Sequence, residues 1–390
     1  MIDRVFYITL EGITSTVFRS QVYELIRSEL SESFKMCLLC FQPVNIRWNK
    51  KRISEVLNIK RRKDVKTKVI PYIGFKGFFS LVNAYVLLFF ILILNNIRRK
   101  RIIIHCRGQE STTIATWLKK INKNIIIISD IRGIPSEEYK EINLSRASYY
   151  TKLDNLIFCN YYKKINHFNF VSEQLQNYYV LKNEDILKKC KSSVIPCFSS
   201  FCNDFKREEN LETLNILYVG GQQYYQRLDL ISEVIEKINF SNVQLILCLN
   251  GKKNIELEEK LQDFCKKSNI VLKVYYNLSK YDLQKVYSIS HIGLLIRDNK
   301  ILNKVASPVK VSEYFSNGLF VILIGEVGDF YSIIKNNKQL GLAYSDMKSI
   351  NKIDVDLLNI MNTAEIRKNY SVKFSKKHCI PMYSQVYKEL

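Results

Sequence analysis

Lys310 and Glu313 stand three apart in SPVKVSEYFSNG, residues 307–318, and the apolar run LFVILI comes directly after. At that spacing both side chains share one face of a helix. Ser307 suits an N-cap, Pro308 the first turn, and Asn317-Gly318 a left-handed C-cap. Lys310 would then lie in the first turn, where unpaired N–H groups and the helix dipole already favour an anion. Acidic residues normally stabilise that turn, so a lysine there points to a ligand. One turn on, the Glu313 carboxylate can accept two sugar hydroxyls. The stretch therefore suits a phosphate at the helix tip with a ribose behind it. The same residues also describe an ordinary capped helix with surface charges.

Other candidates fall where apolar strands end. His105 lies near the end of RIIIHC with Arg107 just beyond it. Asp130, Arg132, Gly133 and Glu138 come after NIIIIS, and Arg297 after IGLLI. Ligands of open α/β sheets gather at the carboxyl ends of strands. We read His105, Asp130 and Arg132 as candidate catalytic residues on an acceptor side. A core histidine, an Asp130–Arg132 pair and an Arg297–Asp298 surface pair are the competing readings. Gly12, in TLEGITST, falls at the first strand–helix turn, where glycine permits close backbone approach. There is no Walker A loop, no GxGxxG after a strand, no H-E-x-x-H and no zinc-type spacing. Cys37-Leu-Leu-Cys40 lies in an apolar run without a second pair, so it reads as core. No metal and no bound cofactor are expected.

The elements that must position these residues alternate. Strand runs are VFYITL (5–10), KMCLLCF (35–41), RIIIHC (101–106), NIIIIS (124–129), FNFVS (168–172) and SVIPC (193–197). After a polar linker at 198–213 come NILYVG (215–220), VQLILCL (243–249), IVLKVYY (270–276), IGLLI (292–296) and LFVILI (319–324). Segments with helical apolar spacing separate them. Near-continuous Ile/Val/Leu strands between helices mean parallel sheets covered on both faces. The expectation is an α/β chain of two Rossmann-like, doubly wound domains facing each other across a cleft. Their spans are 1–200, with a basic segment at 47–68 and an apolar helix at 77–97, and 201–350. Closing helices would fill 351–390.

With those motifs in place, SPVKVSEYFSNGLFVI resembles the S-P-x-K-x-x-E-Y-x-x-x-G-x-P-V-I segment of glycosyltransferase family 4. HIGLLIRDNKILNKVA resembles that family's D-x-G-L-x-x-R strand and loop, and LYVGGQQYYQRLDLI the opening of its second domain. SDIRGIPSEEY resembles the D-x-R-G-x-x-x-E-E stretch of a capsule-type branch. The resemblance implies a GT-B fold, a nucleotide-sugar donor, retention of anomeric configuration and no bound metal. It implies that Glu313 holds the donor ribose and that Lys310, Ser307 and Arg297 meet the diphosphate. Val305 stands where the family has its first glutamate. Gly221 and Gln226 stand where it has its diphosphate-clamping Arg and Lys, with Arg227 adjacent. Gln226, Arg227 and Gly12 complete the donor-side candidates.

The formal net charge of +22 attracts polyanions. Residues 50–68 lack the interleaved aromatics that nucleic acid would ask for, so no nucleic acid is expected. The start MIDRVFYITL reads as a strand rather than a secretory signal, and several of the cysteines lie in apolar runs, which suits a reducing cytosol. Basic and apolar segments together suggest an anionic membrane surface and a glycan or lipid-linked acceptor. The expected location is cytoplasmic, peripheral at the inner face of the membrane, in surface polysaccharide assembly. A GT-B-shaped protein without turnover, binding anionic lipid or nucleic acid, is the rival reading. An epimerase acting on the donor alone is a third.

Overall fold

The computed structural model describes residues 4–10, 13, 18–43, 66–73, 77–94, 101–182, 190–199 and 212–390. Gly12 and residues 47–65 of the basic segment lie outside the described residues. The chain divides into two compact units, Met1–Pro196 with Lys376–Leu390, and Cys197–Ser375.

The first unit holds β1 (Arg4–Thr9), β2 (Met36–Pro43), β3 (Thr67–Tyr72), β4 (Ile102–Arg107), β5 (Ile125–Ile131), β6 (His167–Phe170) and β7 (Ser192–Val194). They form one parallel sheet in the order β3-β2-β1-β4-β5-β6-β7. Every residue of β4 and β5 is buried, because helices cover both faces of the sheet and the Ile-rich strands have no polar side to present. Strand β3 is a correction to the sequence reading. Lys66, Lys68 and Pro71 disguise it, yet at a sheet edge a proline loses little and exposed lysines discourage further pairing.

The second unit holds β8 (Leu214–Gly220), β9 (Val243–Leu249), β10 (Val271–Tyr276), β11 (Ile292–Ile296), β12 (Phe320–Ile324) and β13 (Gly341–Tyr344). They are parallel in the order β10-β9-β8-β11-β12-β13. Alternate residues feed two cores. Ile216, Tyr218, Leu294 and Ile322 face one side, and Leu217, Val219, Leu295 and Val321 the other. Edge strand β13 is also absent from the sequence reading, because GLAY is too short and too mixed to stand out.

Six helices carry or support the side chains that matter at the sheet edges: α1 (Phe78–Leu94), α2 (Gly108–Ile121), α3 (Lys280–Ile289), α4 (Val309–Ser316), α5 (Ala364–Ser371) and α6 (Lys376–Lys388). The last departs from the expectation of one closing block over 351–390. Helix α6 buries Cys379, Ile380, Tyr383 and Tyr387 within the first unit, whereas α5 belongs to the second.

In each sheet the winding reverses once, between β1 and β4 and between β8 and β11. Such a reversal opens a crevice at the carboxyl edge. In the second unit β8 and β11 pair only through Ile292–Ile216 and Gly293–Leu217. Beyond that, the Tyr314 hydroxyl of α4 takes over. It accepts from the Val219 N–H (3.0 Å) and donates to the Leu294 carbonyl (3.2 Å). Gly293 makes room for the ring, since a Cβ there would lie 2.3 Å from Tyr314 Cγ. Gly293→Ala should therefore cost about 1–3 kcal/mol or more of stability through overpacking, read by chemical denaturation.

Candidate functional site

Helix α4 starts one residue later than the sequence suggests. Pro308 is extended (φ −71°, ψ 117°) and serves as the N-cap without a side-chain bond. The Ser307 hydroxyl is used elsewhere, accepting from the Cys197 N–H at 3.2 Å. The Ser307 cap is thus corrected, and the helix tip carries no side-chain cap to compete with an anion. The C-terminal end agrees with expectation. Gly318 adopts φ +69°, its N–H bonds the Phe315 carbonyl, and the Leu319 N–H bonds the Tyr314 carbonyl, a complete Schellman turn.

Lys310 and Glu313 share a face. The Lys310 ammonium donates to Glu313 Oε2 at 2.8 Å, and the Tyr287 hydroxyl of α3 donates to the same oxygen at 2.9 Å. Glu313 is 6% exposed, so the carboxylate is buried with two donors on one oxygen. Burial, then the Glu313 charge, pushes the Tyr287 hydroxyl well up, which keeps it a donor at any working pH.

Arg297 is the other centre of this edge. It leaves β11 and is 9% exposed. No carboxylate pairs with it among the described residues; Asp298 turns instead to Lys300 (3.7 Å). The surface pair with Asp298 is therefore not what forms. Its Nη1 donates to the Ile296 carbonyl (3.1 Å), and its guanidinium lies 5.5 Å from the centre of the Tyr225 ring. Burial lowers its pKa, opposed by Tyr218 and Tyr225. A buried guanidinium facing rings and a carbonyl is costly to hold and has capacity left for an anion.

The loop after β8 closes over this region. The Tyr218 hydroxyl donates to Gln226 Oε1 (2.9 Å), fixing that side chain. Arg227, left-handed at φ +48°, is taken up by Asp229, with Nη2–Oδ2 at 2.7 Å and Nε–Oδ1 at 3.0 Å. At the same edge a cavity of about 570 Å³ opens, lined by Gln222, Gln223, Asn250, Lys252, Lys253 and Asn254. Val305, in the first-glutamate position, is buried and its side chain offers no polar atom.

The first unit brings His105, Asp130 and Arg132 together. His105 Nε2 lies 3.6 Å from Asp130 Oδ2, and Arg132 Nη1 lies 3.3 Å from Asp130 Oδ1. His105 is fully buried between Tyr7 of β1 and Tyr383 and Tyr387 of α6, with Nδ1 2.6 Å from the Tyr387 hydroxyl. Arg132 also reaches Tyr383 (3.4 Å) and Gln21 (3.5 Å). Burial pushes the Asp130 pKa up, but Arg132, His105 and Arg107 outweigh it and hold the carboxyl well below the usual range. Only Arg132, 11% exposed, reaches the surface of the three.

This packing sets a pH response. Burial holds His105 below its ordinary 6.5 and His167 down to about 4. The unfolded chain then binds protons first, so the stability these rings contribute is full above 6.5 and is lost as pH falls below it, for His167 down toward 4. Asp154, pushed up to about 6 by burial, acts in the opposite sense, its contribution being lost as pH rises from 3.8 through 6. A thermal midpoint that begins to fall as the pH drops below 6.5 is the expected result, checked by scans over a pH series.

No protein-family model matches the chain, and no curated protein matches it. Solved structures do match across its whole length. A glycosyltransferase from Rickettsia africae aligns with a TM-score of 0.68 at 13% identity, covering 100% of this chain and 98% of its own. HepE of Anabaena, solved with UDP and glucose, aligns at 0.67 and 9% identity, covering 99% and 100%. The lipopolysaccharide outer core galactosyltransferase WaaB aligns at 0.67 and 12%, covering 99% of both chains. The fold is GT-B.

Within this GT-B chain the sequence candidates divide by placement. Glu313, Lys310, Gln226 and Arg297 stand at the carboxyl edge of the second sheet, and Arg227 is committed to Asp229. His105, Asp130 and Arg132 cluster on the first sheet, with the histidine sealed inside. Among the described residues no group of three or more His, Cys, Asp or Glu is placed to hold a metal. Residues that the sequence reading missed are mostly tyrosines: Tyr218, Tyr287, Tyr314, Tyr383 and Tyr387. The Glu-Tyr pair of the motif marks Tyr314; no signal in the sequence marks the others.

Proposed function

We propose that the chain is a retaining glycosyltransferase of the family 4 type that moves a sugar from a nucleoside-diphosphate sugar to a glycan or lipid-linked acceptor. The observation that carries this reading is Arg297, a buried cation without a carboxylate partner among the described residues, at the switch-point edge that also presents the uncapped tip of α4 and the Glu313 carboxylate. The donor diphosphate meets Arg297, the N–H groups at the tip of α4 and the two remaining donors of Lys310. Glu313, oriented through one oxygen by Lys310 and Tyr287, accepts the ribose hydroxyls with the other. The amide-lined cavity suits a hydrogen-bonding base. HepE and its UDP support the donor class.

As the glycosidic bond to the donor breaks, negative charge gathers on the departing diphosphate. Fixed cations and N–H dipoles stabilise it most at that moment. Retention comes from front-face substitution, the leaving phosphate oxygen taking the acceptor hydroxyl proton. On the first unit Arg132 faces the acceptor, while His105 and Asp130 act beneath it as positioning residues. With Val305 in place of an acid, the donor sugar ring is gripped by groups other than a glutamate at that position. Surface polysaccharide assembly at the cytoplasmic face of a membrane fits a lipid-linked acceptor and the net charge.

The test is product stereochemistry. Incubation with UDP-, GDP-, CMP- and dTDP-sugars and a lipid-linked glycan extract should release nucleoside diphosphate from one donor. NMR of the product should show the donor's anomeric configuration. An inverted product, or a donor epimerised without transfer, would contradict the reading.

A further inference from the structure

Helix α1 is apolar on two opposite faces, and only one of them is used. Its 17 residues, FFSLVNAYVLLFFILIL, include no charge. Leu81, Ala84, Leu88 and Leu92 are buried against the first unit. Phe78, Phe79, Val82, Val86 and Phe90 are exposed, at 58, 72, 38, 41 and 55%. At 3.6 residues per turn these five fall within an arc of about 120°. The Ile73 N–H donates to Asn83 Oδ1 (3.1 Å), which ties the end of β3, with its exposed Ile73, to the helix. A helix that is hydrophobic all round belongs in an apolar setting on every side. A contiguous aromatic and aliphatic stripe of this kind marks an interaction surface.

We infer that this face of α1 seats in the interfacial layer of an anionic bilayer. Three observations select that occupant. Among the described residues no helix is long and apolar enough to cross a membrane: the 17 of α1 measure about 25 Å against roughly 30 Å of hydrocarbon, and its inner face is packed on protein. Cations flank it, with Lys66 and Lys68 exposed at β3, the strand that α1 packs on. The whole chain carries +22, which attracts anionic headgroups and repels a second copy of the same chain. Beside the helix a cavity of about 370 Å³, lined by Phe89, Leu92, Leu118 and Ile121, has the apolar character of an acyl chain. The stripe inserts its rings at the headgroup boundary while the charge supplies the attraction from solution.

The inference stands apart from the donor site, and one set of samples separates the two. Full-length protein is sedimented with phosphatidylcholine vesicles, with and without phosphatidylglycerol, and its nucleotide binding is read in parallel. Wild type should bind the anionic vesicles at least about tenfold more tightly than the neutral ones. Phe79→Ser with Phe90→Ser should weaken vesicle binding by at least about tenfold. The thermal midpoint and nucleotide binding should not change. Phe79→Ser alone gives a smaller loss and keeps the test readable if the double variant misfolds. Two outcomes overturn the inference. One is double-variant binding equal to wild type. The other is a wild-type dimer that the double variant dissolves, which would place a second copy on the face.

Discussion

Replacing Arg297 with methionine should lower affinity for the nucleoside diphosphate by on the order of a hundredfold, about 3 kcal/mol, while the thermal midpoint of the unliganded protein holds or rises. The two halves of that expectation come from one fact. Among the described residues the guanidinium is buried without a carboxylate, against the Tyr225 ring and the Ile296 carbonyl. Its desolvation is offset only in part, so an apolar residue of similar length relieves a cost. With ligand present the same cation has an anion to pair with, and methionine has nothing to offer. Calorimetric titration and a thermal scan of the same sample read both halves. A residue kept for structure would lose stability on replacement; a residue kept for a ligand trades stability for binding. A fall in midpoint with unchanged nucleotide affinity would assign Arg297 to the fold.

Arg367→Ala should behave in the opposite way, costing about 3–5 kcal/mol and lowering the midpoint by on the order of 10 °C. Arg367 of α5 is fully buried and has its acceptors in place. Its Nε donates to the Gly318 carbonyl (3.0 Å), and Nη1 to the Gln339 carbonyl (2.9 Å) and the Thr363 hydroxyl (2.7 Å). Nη2 donates to the Ile360 carbonyl. Alanine would strand these acceptors and leave a cavity. The Gly318 carbonyl belongs to the turn that ends α4, so Arg367 also fixes the helix that presents Glu313. Nucleotide affinity should fall with the loss of order, and Arg367→Lys, which cannot fork to three carbonyls, should recover little of either. Chemical denaturation with a parallel nucleotide titration checks this. A variant as stable as wild type would remove Arg367 from the support of α4.

The pair shows where sequence reading reaches and where it stops. Glu313, Lys310 and the Gly318 cap were legible because helix spacing and turn chemistry act within a few residues. The Ile-rich strands were legible because a sheet covered on both faces leaves no polar alternation. Arg367 was not, since its key acceptor at Gly318 lies 49 positions away and nothing local distinguishes it from a surface arginine. Tyr387 meets His105 across 282 positions, so the closed setting of that histidine could not be read from RIIIHC alone. Ser307 was misassigned as a cap for the same reason: its hydroxyl serves Cys197, 110 positions back. Strand β3 hid behind its lysines and proline, which are the features of an edge.

The most direct measurement is thermal stabilisation of wild type and Glu313→Ala against UDP-, GDP-, CMP- and dTDP-sugars. At a ligand concentration about a hundred times Kd, binding adds roughly 2.7 kcal/mol, a shift of several degrees. One nucleotide class should stabilise wild type, and Glu313→Ala should lose that shift while keeping its own fold. No stabilisation of folded wild type by any donor, or an equal shift in Glu313→Ala, would contradict the assignment of α4 as a diphosphate-and-ribose clamp.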